Sequence, residues 1–409
     1  MFAAWEGLKL KSFITASVCL LIAGAGAVGL QYHRLASSRK LQVFRVVDLG
    51  TLGGDQTVAD DVSSAGMAVG WSLKASLVQH AFICRKGKLV DLDPNPARAS
   101  AAAEVNRNGV VVGAGAIPAS SYPQNDRAFL WKAGVFHELP GLGGGFSQAN
   151  GINESGTVVG VAATTDGRRH AVLWRGGAVM DLTPTARLAG FVAINARGEV
   201  AGVADQRVFL WREGKLTWLP SPYSMTTAML GPSGEVVGSA SGPKGADPFF
   251  SRTLIWINGG KPQSVSMPGS VSTSAFSVGA GGEVVGVSIT KPRTTHAFLW
   301  VKGRIRDMGV PPGDDSCMPE AIASDGTVYG VAGRGLVGLA YGEPFAWSHG
   351  KFVALGIGGR ETGDWSINRI VGVDARGRVL AVGIYRGLQH SCWLVRTASG
   401  RAARRRRGK

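Results

Sequence analysis

The sequence predicts an all-β fold: an eight-bladed β-propeller closed by an N-terminal strand and preceded by a hydrophobic N-terminal helix. Three observations predict it. The chain of 409 residues contains 60 Gly and only 18% charged residues, which suits many short strands separated by turns. No long hydrophobic pattern of helical period occurs after the N-terminal segment. A glycine-punctuated pattern recurs across residues 41–397, which predicts a repeat protein.

The clearest copy of the repeated unit is residues 147–182. Its N-E-S-G sequence at 153–156 predicts a turn, because Asn bonds its own backbone and Gly accepts positive φ. The β-branched run at 157–159 predicts a strand. The apolar runs at 170–174 and 178–182 predict a hairpin, whose W-x-x-G spacing suits a tight turn with a glycine bulge. Each unit therefore contains about four short strands.

The turn glycine recurs at intervals of 36 to 51 residues, a spacing typical of propeller blades and not of short solenoid coils. It occurs at Gly66, Gly109, Gly156, Gly198, Gly234, Gly282, Gly326 and Gly377. A tryptophan recurs at Trp131, Trp174, Trp211, Trp256, Trp300 and Trp347. Cys84 takes that place in the first unit, and Trp393 falls one residue early in the last. Eight units are therefore expected.

These marks resemble the HAF repeat of predicted bacterial extracellular proteins. The tripeptide H-A-F stands at 80–82 and 296–298, D-L-G-T-L-G-G at 48–54, and N-x-x-G-x-V-V-G at 106–113. The resemblance covers residues 45–397, although the tripeptide becomes R-T-L at 252–254 and E-P-F at 343–345. It implies a repeat fold and export from the cytoplasm. It implies no general activity.

Histidines and acids recur 11 residues apart within several units. Across a hairpin, this spacing places the two side chains opposite or diagonal on one face. The pairs are His80 with Asp91, His170 with Asp181 and His296 with Asp307, and Arg127 with Glu138 has the same spacing. We expect each pair to fix strand register for about 0–1 kcal/mol, whereas a buried Trp or Phe contributes about 4–6 kcal/mol. The alternative is a basic ring of His and Arg that binds an anion.

The last unit lacks the returning strand and has no acid 11 residues after His390. The segment at 43–49 is a copy of that missing strand. We therefore expect it to pair with residues 389–395, bring Asp48 to His390 and close the ring. Closure would leave no free sheet edge. The alternative, an open solenoid, requires capping units that the sequence lacks.

The two ends of the chain predict location and charge interactions. Residues 1–31 read as a signal peptide or a membrane anchor, since an apolar run at 13–22 precedes A-x-A sites ending at Ala25 and Ala27. Residues 32–40 form a linker before the propeller at 41–397. The basic tail at 398–409 contains Arg404, Arg405, Arg406 and Arg407, in a chain of net charge +16. Beyond an export signal it suits an anionic envelope polymer or lipid, the alternative being a solvated, disordered end.

The sequence predicts no catalytic group, no cofactor and no metal site. Cys84, Cys317 and Cys392 have neither zinc-site nor disulfide spacing, and H-E-x-x-H and G-x-S-x-G do not occur. The glycine-rich stretches at 50–54, 141–145 and 356–359 read as crossover turns and not as phosphate loops. Adjacent acids at 60–61 and 314–315 read as solvated rim residues, with a bound cation as the alternative.

These observations favour a monomeric, non-catalytic binding or scaffolding propeller at the cell envelope, secreted, periplasmic or anchored, with a carbohydrate or protein ligand. One alternative is a glycan-directed hydrolase or lyase that uses carboxylates from different blades. A second is a nucleic-acid binder that acts through the basic tail, which requires that the chain is not exported.

Overall fold

The computed structural model describes residues 41–116, 126–241, 251–290, 294–334, 342–357 and 365–397, with side chains from residue 43. Every regular element in these ranges is a β-strand. None of the described segments forms a helix long and apolar enough to cross a membrane. The predicted leader and linker at 1–40, including the expected helix, and the basic tail with Arg404–Arg407 lie outside the described residues.

The strands follow each other in antiparallel groups of four, after an initial strand β1 (Leu41–Asp48). The first group is β2 (Gly53–Val62), β3 (Ala68–Lys74), β4 (Gln79–Arg85) and β5 (Lys88–Asp91). The second is β6 (Ser100–Val105), β7 (Val111–Ala116), β8 (Asp126–Lys132) and β9 (Val135–Glu138). The third is β10 (Gly143–Ile152), β11 (Val158–Thr164), β12 (Arg169–Arg175) and β13 (Ala178–Asp181). The fourth is β14 (Ala189–Ile194), β15 (Val200–Ala204), β16 (Arg207–Arg212) and β17 (Lys215–Trp218).

The second half continues the same order. The fifth group is β18 (Met225–Leu230), β19 (Val236–Ser241), β20 (Ser251–Trp256) and β21 (Gln263–Val265). The sixth is β22 (Ser270–Val278), β23 (Val284–Thr290), β24 (Thr295–Val301) and β25 (Arg304–Gly309). The seventh is β26 (Ser316–Ile322), β27 (Val328–Gly333), β28 (Glu343–Ser348) and β29 (Lys351–Ile357). The last strands are β30 (Trp365–Val373), β31 (Val379–Tyr385) and β32 (Leu388–Arg396), with β1 beside β32.

Two-residue turns with positive φ join the outer strands of several groups. Lys86 and Gly87 have φ of 51° and 77°, and the flanking Arg85 and Lys88 pair directly. Positive φ at both positions is the type I′ geometry, whose twist matches the flanking strands. The predicted glycine bulge is therefore wrong, because the pairing runs without a register shift up to the turn.

Apolar side chains pack between neighbouring groups. In one core cluster Ile83 of β4 lies with Phe129 and Trp131 of β8, all three nearly or fully buried. The buried Trp174 of β12 also donates its Nε1–H to the carbonyl of Pro140, 2.7 Å away. The apolar face of each sheet is thus shielded from water only when the next sheet packs against it. Repeat folds gain their stability from such contacts between neighbouring units.

Strand β1 connects the start of the described chain to its end. Residues Phe44 to Asp48 pair antiparallel with Arg396 to Cys392 of β32. The other edge of β1 pairs in parallel with β29. A core cluster joins Phe82 of the first group to Leu380 and Trp393 of the last. Ser391 adds a hydrogen bond, since its Oγ accepts the amide N–H of Ala59 at 2.7 Å.

Substitution of Phe44 tests how much strand β1 contributes to the free energy of unfolding. Its side chain is completely buried in a cluster with Leu355, Ile367 and Leu394. We expect Phe44→Ala to lower the free energy of unfolding by about 3–5 kcal/mol, because it removes a large apolar group and leaves a cavity. The matched control Arg45→Ala, at an exposed position of the same strand, should change it by less than about 0.5 kcal/mol. Urea unfolding followed by tryptophan fluorescence measures both; equal effects would contradict a buried structural role for β1.

Candidate functional site

The repeated histidines each contact a carboxylate through Nδ1. The distances are 2.9 Å from His80 to Asp91, 2.7 Å from His170 to Asp181, 3.1 Å from His296 to Asp307 and 3.1 Å from His390 to Asp48. The register explains the contact: Phe82 pairs with Asp91, so His80 lies diagonal to the acid across the hairpin. Because an ionised carboxylate can only accept a hydrogen bond, the Nδ1–H of each ring donates it.

The same four acids also hold the backbone that leaves each hairpin. Asp91 accepts the amide N–H of Asp93 at 3.1 Å, and Asp181 accepts that of Thr183 at 3.0 Å. Asp307 and Asp48 do the same for the residues two positions on. Each acid therefore joins a strand to the turn that leads toward the next sheet. This arrangement occupies the histidines and acids structurally.

Asp91 and Glu138 each have a cationic partner other than histidine. Burial opposes ionisation of Asp91, but hydrogen bonds from His80 and Lys74 outweigh it and hold the pKa of this carboxyl below its usual value. Glu138, which the sequence matched with Arg127, is bonded instead by Arg98, whose Nη1 lies 2.6 Å from Oε1. Arg98 also pairs with the buried Asp93 at 2.9 Å. Arg98 lies in the connection between the first two groups, so sequence spacing within one hairpin could not identify this pair.

The first strand of every four-strand group contributes residues to one cavity, which we name the axial cavity. Its volume is about 400 Å³. The polar lining residues are Asp60, Asp61, Glu104, Asn150, Ser277, Glu320 and Arg369, from strands β2, β6, β10, β22, β26 and β30. The apolar lining comes mainly from β14, β18, β22 and β30. Side chains that differ from unit to unit therefore meet here.

β-Bulges place several of these side chains in the cavity. The register of β2 shifts between Ala59 and Asp61, and that of β26 shifts between Pro319 and Ala321. Asp60 and Glu320 are the extra residues at these shifts, where a bulge re-aims a side chain. The expectation that the adjacent Asp60 and Asp61 are solvated on a rim loop is wrong: both lie on β2, and Asp61 is only 7% exposed.

The cavity carboxylates are held by neighbouring sheets. Asp61 Oδ2 accepts the amide N–H of Val105 at 3.2 Å. The Arg369 Nη2 lies 3.5 Å from Asp60 Oδ1 and also donates to the carbonyl of Ala59. Glu320 Oε2 accepts the amide N–H of Ile370 at 2.7 Å. These contacts fix the acids in place, as a preorganised binding or catalytic site requires.

The carboxyl group of Glu320 is strongly perturbed by its surroundings. The side chain is partly exposed and lines the cavity, while its Oε1 is buried and has no hydrogen-bond partner among the described residues. Burial raises the pKa of Glu320 to about 8, against the opposing influence of the Ile370 amide and of Arg369. A carboxylic acid that its surroundings keep neutral can donate a proton or a hydrogen bond.

The cysteines, the possible metal ligands and the glycine-rich stretches offer no comparable reactive group among the described residues. The thiols of Cys84, Cys317 and Cys392 are free and buried, and burial raises the pKa of Cys84 to about 11 and that of Cys317 to about 12. Such thiols stay protonated at neutral pH and are poor nucleophiles. Within the described ranges no group of three or more His, Cys, Asp or Glu side chains could hold a metal ion. The glycine-rich stretches at 50–54 and 141–145 lead into β2 and β10, and residues 358–359 of the third stretch lie outside the described residues.

Comparison with known proteins gives similarity in structure alone. The sequence matches no family model and no curated protein. Among solved structures, a prolyl endopeptidase aligns with 82% of this chain at 11% identity and a TM-score of 0.50, and the alignment spans 55% of the endopeptidase. Virginiamycin B lyase from Staphylococcus aureus aligns with 86% of this chain at 10% identity and a TM-score of 0.45, over 99% of its own length. YCF48 bound to D1 peptide aligns with 87% at 11% identity and a TM-score of 0.43, over 96% of its length.

The described part of the chain is thus all-β, with many short strands and propeller-like structural neighbours. Fold alone selects neither catalysis nor binding.

The raised pKa of Glu320 predicts a pH-dependent stability. The folded protein holds this proton more tightly than the unfolded chain, whose carboxyl has the usual pKa of 4.5. The stabilisation is fully present below about pH 4.5 and is lost as the pH rises through about 8. We expect Glu320→Gln to remove this loss, so that the variant gains stability relative to the natural protein at pH 9 compared with pH 4.

Urea unfolding of both proteins at several pH values measures the effect. Glu213→Gln, at an exposed position outside the cavity, is the control and should follow the natural protein. A constant stability difference between the Glu320→Gln variant and the natural protein from pH 4 to 9 would contradict a proton held at Glu320.

Proposed function

We propose that this chain is an exported, non-catalytic binding or scaffolding propeller of eight blades, closed by its N-terminal strand, that acts at the cell envelope. Residues 1–31 direct export as a signal peptide or an anchor. The ligand is an extracytoplasmic carbohydrate or protein that reaches the axial cavity or the loops around it. The tail residues Arg404–Arg407 add a contact with an anionic envelope polymer or lipid.

The axial cavity is the observation that carries this proposal. Residues from β2, β6, β10, β14, β18, β22, β26 and β30 line the same cavity. A ring of sheets brings its inner strands together in this way, whereas an open row would keep the first and last far apart. The pairing of β1 with β32 supports the same architecture.

The contrast between the repeated His–acid pairs and the unrepeated polar residues of the cavity supports a binding function. The His–acid pairs repeat from unit to unit and hold turns, which gives them a structural role. The cavity residues do not repeat: the place of Asp61 is taken by Glu104 in the second group and by Gly151 in the third. A site that recognises one ligand needs such unequal side chains around a concave surface.

Export is tested by the location of the chain in cells. We expect the full chain to be digested by a protease that reaches only the extracytoplasmic side. A version that lacks residues 1–31 is the control and should remain protected in the cytosol, because it has no apolar segment to engage the export machinery. A full chain protected in the cytosol would contradict the proposal and favour the nucleic-acid binder that acts through the basic tail.

A glycan-directed hydrolase or lyase is the second candidate, and one observation favours it. Carboxyl groups from three different groups of strands, Asp60, Glu104 and Glu320, line one cavity. The raised pKa of Glu320 suits a general acid, and a second carboxyl group in the same cavity suits a base or nucleophile.

Purified envelope glycans distinguish the two candidates. A binding module should retain glycan without releasing new chain ends. An enzyme should release them, and both Glu320→Gln and Glu104→Gln should lower the rate by at least about 100-fold, since general acid–base catalysis contributes about 10²–10⁴-fold. Glu213→Gln is the matched control. Turnover that disappears in the two cavity variants but not in the control would overturn the non-catalytic proposal.

A further inference from the structure

The strand groups share one orientation. The Asn106 side chain donates to the carbonyl of Asn153 in the first turn of the next group, and the amide of Ala375 donates to the carbonyl of Ser64 in the first turn of the first group. Strand β24 pairs in parallel with β26, and β29 with β1. In an antiparallel group of four, the turn after the first strand and the turn after the third lie at the same end. The turns after the third strands, which we name the outer turns, therefore lie on one face of the protein.

This face carries a cation from every group. Each of the first seven groups has an exposed Lys or Arg in its outer turn or at the strand residues that flank it, and Arg396 at the end of β32 adds one from the last group. The residues of the seven groups are Arg85, Lys86, Lys88, Lys132, Arg175, Lys215, Lys261, Lys302, Arg304 and Lys351. Within these described turns Glu213 is the single acid. We name this surface the basic face.

The first turns, at the same end, carry charges of both signs. Their acids are Glu154, Glu199, Glu235, Glu283, Asp325 and Asp374, and their cations are Arg107, Arg197, Arg376 and Arg378. Several of these charges compensate each other locally: Glu199 lies 2.6 Å from Arg212, and Asp374 lies 2.7 Å from Arg378. The excess of positive charge at this end therefore lies at the outer turns.

Both ends of the described chain meet at the same face. The backbone N–H and the hydroxyl of Thr397 both donate to the carbonyl of Val43, at 3.2 Å and 2.9 Å. Strand β32 ends here because it is a third strand, and β1 begins here because it pairs antiparallel with β32. The apolar run at 13–22 and the arginines at 404–407 are thus joined to the protein on the side of the basic face.

Two of the outer turns also expose apolar side chains. Val135, close to Lys132, is 52% exposed, and Ile257, in the same turn as Lys261, is 37% exposed. Cations beside apolar side chains suit the boundary between lipid headgroups and acyl chains. A soluble charged polymer would use the cations and leave these apolar groups in water.

We propose that the basic face docks on an anionic lipid bilayer, with its Lys and Arg side chains at the phosphate headgroups. Each cation near such a surface adds to the attraction, which falls off within a Debye length. Cations that come from consecutive groups cover a broad surface, and this fits the plane of the headgroups. The inference rests on the proposed envelope role for the identity of the membrane. It goes beyond that role by assigning the described surface that faces the bilayer.

Sedimentation of the full chain with vesicles tests the role of charge. We expect vesicles that contain phosphatidylglycerol to bind the chain at least about tenfold more tightly than vesicles of phosphatidylcholine alone, with a smaller difference at high salt. A variant with Lys132→Gln, Lys215→Gln, Lys302→Gln and Lys351→Gln should bind the anionic vesicles at least about tenfold more weakly than the natural protein. Its affinity for the neutral vesicles should not change.

The matched control removes the same charge from the opposite end. It combines Arg168→Gln, Arg187→Gln, Arg334→Gln and Arg386→Gln, all at exposed positions in connections at that end. We expect this variant to bind both kinds of vesicle as the natural protein does. Unfolding midpoints confirm that both variants are folded.

A fluorescent label at a single cysteine locates the contact. Cys84, Cys317 and Cys392 are buried, and Cys19→Ser removes the other cysteine of the chain. A label at Val135→Cys should become shielded from an aqueous quencher when anionic vesicles are added. A label at Leu77→Cys, which is 71% exposed at the opposite end, should stay accessible.

Several outcomes would overturn the proposal: no preference for anionic vesicles, equal losses in the two charge variants, or shielding of the label at position 77 instead of 135. Duplex DNA binding that is lost in the lysine variant, with vesicle binding unchanged, would assign the face to nucleic acid and also overturn it. A chain that stays in the cytosol but docks through this face would refute only the envelope role. An exported chain whose lysine variant binds anionic vesicles normally would refute only the docking face.

Discussion

The antiparallel pairing of β1 with β32 is the interaction on which the rest of the structure depends. It gives the final sheet its outer strand from the opposite end of the described chain, and the contacts between Phe82 and Trp393 cover the faces that both terminal sheets would otherwise expose. Exposing those apolar faces to water would cost about 25 cal/mol for each Å². The cavity also depends on this pairing, because Asp60 and Arg369, from opposite ends of the chain, meet only when the two ends adjoin.

Hydrogen bonds between neighbouring sheets complement the apolar packing. The hydroxyls of Ser100 and Ser147 accept the amides of Ala81 and Ala128 in the preceding sheets, at 3.1 Å and 3.0 Å. A chain of turn asparagines does similar work, since the Asn106 side chain donates to the carbonyl of Asn153, whose side chain donates to that of Asn195. These bonds satisfy backbone groups that no strand pairing reaches. They also restrict sliding of one sheet against the next, which apolar contacts alone would allow.

The sequence was informative where a residue repeats and uninformative where it does not. The contact of His390 with Asp48 could be anticipated because both occupy positions seen intact in other units. The cavity could not, because Asp60 and Glu320 are extra residues at bulges, and alternation of side chains along a strand fails there. The Arg98–Glu138 pair could not be predicted for another reason: Arg98 lies on a connection and Glu138 on a strand, 40 residues apart.

The bulge in the first strand of a group separates a cavity-lining position from the hydrophobic core. At a position such as Glu320 the side chain borders the cavity, whereas the preceding Met318 and Pro319 are buried and do not line it. Substitution at such a position changes what the centre attracts without opening a hole in the hydrophobic interior. Duplicated sheets thus supply a rigid frame in which each copy can acquire its own inward-facing residue, and ligand preference can diverge one copy at a time while the frame stays the same.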